Sequence, residues 1–369
     1  MTRLVSLLLL VAAPLAISAY DFVTTKGLRW PAGEIPMNLQ LDATRDSQFL
    51  SDGKASWNEV AEEALAIWNS ELSYVQFTSF TSSQRGDGNG HNEVFFSTNA
   101  YGHPLGDRVL AITTAWKIGS ERVEGDTIVN SDVAWDSLRG PIGFFDFDLR
   151  RVLIHEFGHT LGLDHPDEAR QVVVAVMNSI VSDLDTLALD DIHGVRALYP
   201  PDAAYALNFS IVPPGSGSVF AKAPPDINGR YPAGSLVTFL AKPQRRFRFN
   251  FWGGDENRTG GKLVVLVVDD ENITLNFSTN GAPVIRAQPR HQIASTGDTI
   301  MFSARVSTSR KMPSFYQWQH DGNDVPNATN TTLVLPFVGH ESSGLYSLRA
   351  SNARGETFSK PARLVVDGH

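Results

Sequence analysis

The chain has 369 residues, 42% hydrophobic and 19% charged, which is enough apolar material for buried cores and too much for a disordered segment. Its 31 Lys and Arg stand against 40 Asp and Glu, a net charge of −9, so there is no electrostatic footprint for nucleic acid or anionic lipid. With no cysteine, disulfides, thiolate metal sites and thiol nucleophiles are all excluded, and any metal must be held by His and carboxylate.

At the N-terminus Arg3 precedes an apolar run from Leu4 to Ile17, shorter than the roughly 20 residues a membrane span needs, and Ser18 and Ala19 follow. This pattern predicts a signal peptide over residues 1–19, export of the bacterial type, and a secreted, extracellular protein without a membrane span after cleavage. Trp57, Val60, Ala61, Ala64, Leu65 and Trp68 form one apolar stripe at helical spacing, which predicts a helix over 53–69 with both tryptophans in the core. Short β-rich runs follow at Val75 to Phe80, Val94 to Ser97, Val109 to Ala115 and Asp132 to Trp135, so the first unit reads as α plus β. A second helix starts at Asp148, its cap, has an apolar side of Leu149, Val152, Leu153 and Phe157, and ends at Gly162. A third begins near Asp190 and Asp191 and is stopped by Pro200 and Pro201, where a domain boundary is expected. Beyond Pro201 the pattern changes to short strands separated by Gly, Pro, Asn and Asp, with a break near Gly281 to Pro283. Six Asn-x-Ser/Thr sequons, at Asn208, Asn257, Asn272, Asn276, Asn327 and Asn330, lie in this β half; they are turn chemistry if the source is bacterial and glycan sites only if it is eukaryotic.

The second helix carries the chemistry. His155-Glu156-Phe157-Gly158-His159 sets two imidazoles four residues apart on one helical face, where both reach one cation, with a carboxylate between them. Gly162 lets the chain leave the helix, and His165 returns three residues later towards the same point. Three neutral imidazoles suit Zn2+ and leave a fourth position for water, the arrangement of a catalytic site. Zinc acidifies that water and polarises a carbonyl, and Glu156 stands ready to accept the proton and pass it to a leaving amine. Hydrolysis of an amide is the implied reaction, with an acid limb below about pH 5–6 because the ligand histidines must be neutral.

The string H-E-x-x-H-x-x-G-x-x-H, followed by Met177, resembles the metzincin metallopeptidases, and within them the matrixin-like group. Trp30 with Ile35 to Leu39 looks like the family's opening strand, Ala55 to Trp68 like its first long helix, and Asp190-Asp191-Ile192 with Leu198-Tyr199-Pro200 like its closing helix. Val109-Leu110-Ala111-Ile112 is similar to the edge strand that pairs with substrate. The resemblance implies one catalytic zinc held by His155, His159 and His165, Glu156 as general base, Met177 as the turn beneath the metal, and substrate contacts from Leu110, Ala111 and Ile180. It also implies that Asn178 to Thr186 wall the pocket for the side chain after the cut. A structural Ca2+ is a further expectation, from Asp107, Asp126 and Asp132 in Gly-containing loops. His103 reads as a loop histidine and His193 as a surface one. No segment long enough for the family's prodomain fits between residue 19 and the opening strand, and no tyrosine follows Met177 closely enough to act as the extra metal ligand seen in serralysin-like members.

Residues 204 to 280, with Gly215 to Val219, Tyr231 to Gly234, Val237 to Ala241 and Phe249 to Asp255, look like one copy of an internalin-type bacterial β repeat with Trp252 and Phe249 as core. Residues 283 to 366 resemble an immunoglobulin-like domain, in which Trp318 fits the buried tryptophan, Tyr346 the tyrosine corner, and Ala304 and Leu348 the places of the disulfide. The expected fold class is therefore multidomain: an α+β metzincin-like catalytic domain (mixed sheet with three helices) over 20–201, then two small all-β domains, 202–280 and 281–369, the last an Ig-like sandwich. The expected function is a secreted zinc endopeptidase acting on protein or peptide substrates, with β modules that bind a surface or matrix partner. The competing expectation is a surface-adhesion protein whose first domain is a zinc-stabilised, non-catalytic scaffold.

Overall fold

The computed structural model describes residues 2–5, 21–22, 28–42, 50–106, 109–138, 147–169, 171–308 and 312–367. The chain divides into two compact units, Met1–Ala203 and Ala204–His369. Among the described residues no helix is long and apolar enough to cross a membrane.

Besides four further two-residue strands, the described strands of the first unit are β1 (Thr2–Val5), β2 (Asp21–Phe22), β3 (Gly33–Leu39), β4 (Val75–Phe80), β5 (Asn92–Ser97), β6 (Ala111–Ile118), β7 (Glu121–Asn130) and β8 (Leu163–Asp164). The helices are α1 (Trp57–Asn69), α2 (Leu149–Leu161) and α3 (Leu189–Leu198). A mixed six-stranded sheet runs in the order β1-β6-β7-β5-β3-β4. Its β3, β4, β5 and β7 are mutually parallel, while β6 runs antiparallel to β7 and to β1. Thr2–Val5, inside the expected signal peptide, pairs with Thr114–Lys117, while residues 6–20 lie outside the described ones.

α1 begins at Trp57, where its apolar stripe starts and four residues after the expected start at 53, because Ser56 caps it by accepting from the Glu59 N–H at 3.2 Å. Its stripe is buried as expected, and Trp68 Nε1 donates to the Ile154 carbonyl of α2 at 2.8 Å. α2 is capped by Asp148 and closed by Gly162, yet it is buried on every side, including Arg150 and Arg151. Asp148 lies 3.4 Å from Arg151, and Arg150 donates to the Asp185 carbonyl at 2.7 Å. Two aromatic donors reach carbonyls at the C-terminal end of α2, which lack helical partners: Trp30 Nε1 to Thr160 at 2.8 Å and the Tyr199 hydroxyl to Leu161 at 2.7 Å. This helix is thus held from its neighbours on several sides.

The strand expected over Asp132 to Trp135 reduces to Trp135–Asp136, and the long strand is instead β7, which the sequence reading passed over. Its Arg122, Glu124 and Asp126 are buried, so the charged letters that speak against a central strand are here turned inward.

In the second unit, residues 204–279 form a five-stranded and a three-stranded sheet around Trp252, Phe239, Val265 and Leu275. Gly217 is required by close approach, since a Cβ there would stand 2.3 Å from the Phe277 ring. Residues 284–367 build a second core around Trp318, Phe302 and Tyr346, in which Ala304 and Leu348 are both buried. The Tyr346 hydroxyl donates to the Ser342 carbonyl at 2.8 Å, closing the tyrosine corner.

One group in this unit works against its fold. Glu271 lies near Glu256, Asp255 and Asp269, its Oε2 is buried without a hydrogen bond from any described residue, and burial followed by these like charges pushes its carboxyl up to about 8. A carboxyl raised in the fold holds its proton there and releases it on unfolding, so its contribution is fully present below about pH 4.3 and is lost as pH rises towards 8. Glu271→Gln is therefore expected to raise the second unit's melting temperature at pH 8 and to change little at pH 5. Calorimetry at both pH values checks this, and an equal shift at both contradicts it.

Candidate metal centre and active site

α2 delivers His155, Glu156 and His159, and the turn after it delivers His165. Gly162 makes that turn with φ +117°, and a Cβ there would stand 2.7 Å from the Leu28 carbonyl, so conformation and space both exclude a side chain. His165 Nε2 comes within 3.1 Å of His155 Nε2 and 3.0 Å of His159 Nε2. The other ring nitrogens are engaged, His155 Nδ1 with the Val176 carbonyl and His159 Nδ1 with the Leu163 carbonyl, each at 2.8 Å. A carbonyl can only accept, so in these two rings Nδ1 carries the proton and Nε2 presents a lone pair.

Lone pairs at this spacing repel unless a cation lies among them. Ligands 2.0–2.1 Å from a tetrahedral ion stand about 3.3 Å apart. The donor set therefore fits Zn2+, and carbonyls behind the rings are the usual device that fixes imidazole ligands. Burial, then the neighbouring His165, pushes His155 down to about 4, and burial, then His155 and His165, pushes His159 well down, so both are neutral at pH 7.

Glu156 is buried beside them. Its Oε2 accepts from Thr113 Oγ1 of β6 at 2.5 Å, and burial pushes its carboxyl up to about 7 against that hydrogen bond. Met177 is buried against Gly158, where a Cβ would stand 2.2 Å from its Sδ and 2.9 Å from Trp68 Cζ2. Gly158→Ala is thus expected to destabilise the first unit by roughly 1–3 kcal/mol through overpacking and to lower zinc occupancy. Urea unfolding with a zinc assay checks it, and unchanged values would contradict the contact.

The turn holding Met177 is pinned by Asp191, the third residue of α3, which the sequence reading used only as part of a pattern. Its carboxylate accepts from the backbone N–H of Val176, Met177 and Ala188 at 2.9, 3.1 and 2.8 Å. Val176 thus donates to Asp191 and accepts from His155, which ties the start of α3 to the first histidine. An Asp in a helix's first turn was the available signal. Thr113 left none.

Of the expected substrate contacts, Leu110 packs half-buried on the core, Ala111 opens β6 two residues before Thr113, and Ile180 is 76% exposed. His103 is exposed in a two-residue bridge and His193 is half-buried on α3. Of the residues expected to hold calcium, Asp107 lies outside the described residues, Asp132 is exposed, and Asp126 is buried with a carboxylate oxygen within 4.8 Å of those of Glu124 and Asp87. The oxygens of Glu124 and Asp126 already have donors in Gly88, Gly90, Glu93 and Tyr101, and Asp126 is pushed up to about 8 by burial and its acidic neighbours.

Residues 43–200 match the matrixin family model and residues 282–352 the immunoglobulin domain model. The first unit carries a matrixin domain. The chain is 29% identical over 190 residues to interstitial collagenase of Equus caballus, covering 49% of this chain and 35% of that protein. Macrophage metalloelastase of Oryctolagus cuniculus is 29% identical over 143 residues, 37% of this chain and 28% of its own. Matrix metalloproteinase-16 of Homo sapiens is 35% identical over 81 residues, 22% and 13% respectively. The chain thus spans about a third or less of the length of these relatives. Among solved structures, a chimeric titin Z1Z2 is 26% identical with a TM-score of 0.21, covering 24% of this chain and 96% of its own.

Proposed function

We propose that this protein is an exported zinc-dependent endopeptidase, with His155, His159 and His165 as zinc ligands and Glu156 as general base. The observation that carries the reading is the convergence of three imidazole Nε2 atoms beside a buried carboxylate, within a matrixin domain. When bound, zinc supplies Lewis-acid chemistry to the scissile carbonyl and to the attacking water. The chain's own residues do the rest. Val176 and Leu163 hold two ligand rings in the tautomer that presents Nε2, and Met177 floors the site against Gly158. Glu156 takes the proton of the attacking water on a carboxylate oxygen and returns it to the leaving amine, for which a carboxyl poised near 7 is well matched.

The outer edge of β6 is suited to an extended peptide, and Thr2–Val5 of the chain itself pairs there in antiparallel register. Removal of residues 1–19 during export frees that edge for a substrate contacting Leu110 and Ala111. The wall from Asn178 to Thr186 sets preference after the cut, with Leu184 packed on the core and Ile180 projecting from the surface. The test is digestion of a mixed peptide library by residues 20–369, with and without a zinc chelator. Zinc-dependent cuts are expected, and Leu184→Ala is expected to shift the residue favoured after the cut. No cuts with zinc bound would move the reading to a zinc-stabilised scaffold carrying adhesive β modules, and an unchanged map for Leu184→Ala would remove the wall from the account.

A further inference from the structure

Thr113 lies outside the zinc motif, yet it touches the group that the reaction depends on. It stands on β6 opposite Thr127 of β7 and is buried. Three oxygens surround its hydroxyl: Glu156 Oε2 at 2.5 Å, the Glu156 carbonyl at 3.2 Å and Thr127 Oγ1 at 3.3 Å. A hydroxyl has one proton to give, and the nearest of these acceptors is the only carboxylate, so the proton goes to Oε2. Thr127, also buried, is then free to donate to Thr113 Oγ1, making a chain of two hydroxyls that ends on the carboxylate. The other oxygen, Oε1, receives no hydrogen bond from any described residue.

We infer that Thr113 is a positioning residue for peptide hydrolysis: it tethers one oxygen of Glu156 to the substrate-bearing strand and leaves the other to handle the proton. The inference rests on the peptidase reading above and adds to it a part that the metal-binding string does not encode. A Glu side chain turns about three bonds, and fixing it before substrate arrives removes a cost that would otherwise fall in the transition state. The tether also comes from β6, two residues beyond Ala111. A peptide paired along that edge and the base that acts on it are therefore held in one frame, and a shift of the strand moves both together.

Thr113→Val keeps the shape and removes the hydroxyl; Thr113→Ser keeps the hydroxyl and removes a methyl. Wild type, both variants and each in a Glu156→Ala background are assayed on a fluorogenic peptide chosen from the wild type's own library cuts, with rates normalised to zinc content. Thr113→Val is expected to lower kcat by about 10- to 100-fold, the scale of a misplaced catalytic group, with KM little changed. Thr113→Ser is expected to recover most of kcat, and Thr113→Val to have no further effect once Glu156 is Ala. A second reading needs no turnover: in metal-free protein Thr113→Val lowers the melting temperature, and by less in the Glu156→Ala background. Equal kcat for Thr113→Val, serine as impaired as valine, or undiminished effects in the Glu156→Ala background would each overturn the inference while leaving the peptidase standing. Wild type that cuts nothing with zinc bound would overturn both.

Discussion

Glu156→Ala is expected to lower kcat for peptide cleavage by about 10²- to 10⁴-fold, the usual contribution of a general base, while zinc content and fold are kept. Retention of the fold is the less obvious half of this result. Glu156 is a buried carboxylate whose burial raises its pKa, so its charged form costs stability in the folded state. Removing it leaves no stranded donor, because the Thr113 hydroxyl still has the backbone carbonyl of position 156 at 3.2 Å. The variant loses side-chain packing and sheds a desolvation penalty, and the two effects oppose each other. A site that costs the fold something in return for activity is the usual mark of a functional group. The measurement is kcat beside zinc content and melting temperature for wild type, Glu156→Ala and Glu156→Gln. Activity surviving in both variants would remove Glu156 from the mechanism, and activity lost only along with zinc would make it a structural residue.

The motif residues were legible in the sequence because their spacing is set by helix geometry alone. Two histidines four apart share a face wherever the helix lies, and Gly162 announces the turn that brings the third. α1 and Trp318 were legible for a similar local reason: an apolar stripe, or an aromatic in a strand, has to be buried somewhere. What stayed hidden depends on partners distant in sequence. β7 reads as a charged loop until β5 and β6 flank it and Tyr101 and the glycine N–H groups near residue 90 supply donors to its carboxylates. α2 reads as amphipathic until Asp185 and Asp148 are found holding its two arginines. Thr113 lies 43 residues from Glu156, and no periodicity links a strand hydroxyl to a helix carboxylate across that distance.

Zinc removal is expected to lower the melting temperature of the first unit by roughly 10 °C and to leave the second unit's transition in place. A ligand present at a thousand times its Kd stabilises the folded state by about 4 kcal/mol, and a unit of this size shifts by about 2–4 °C per kcal/mol. The effect should be local because all three imidazoles lie in the first unit, tied through Val176 and Asp191 to α3. It should also persist further into acid than free imidazole would allow. His155 is pushed down to about 4 in the fold against about 6.5 unfolded, so between these values the unfolded chain takes the proton and the folded site keeps its lone pair for the metal. The same depression costs the metal-free fold stability as pH falls from about 6.5 to about 4. Differential scanning calorimetry of zinc-loaded and chelated protein at pH 7 and pH 5 reads both effects, with His159→Ala assigning the first unit's transition. Equal shifts in the two transitions would contradict the local site, and a zinc effect already gone at pH 5 would contradict the buried, neutral histidines.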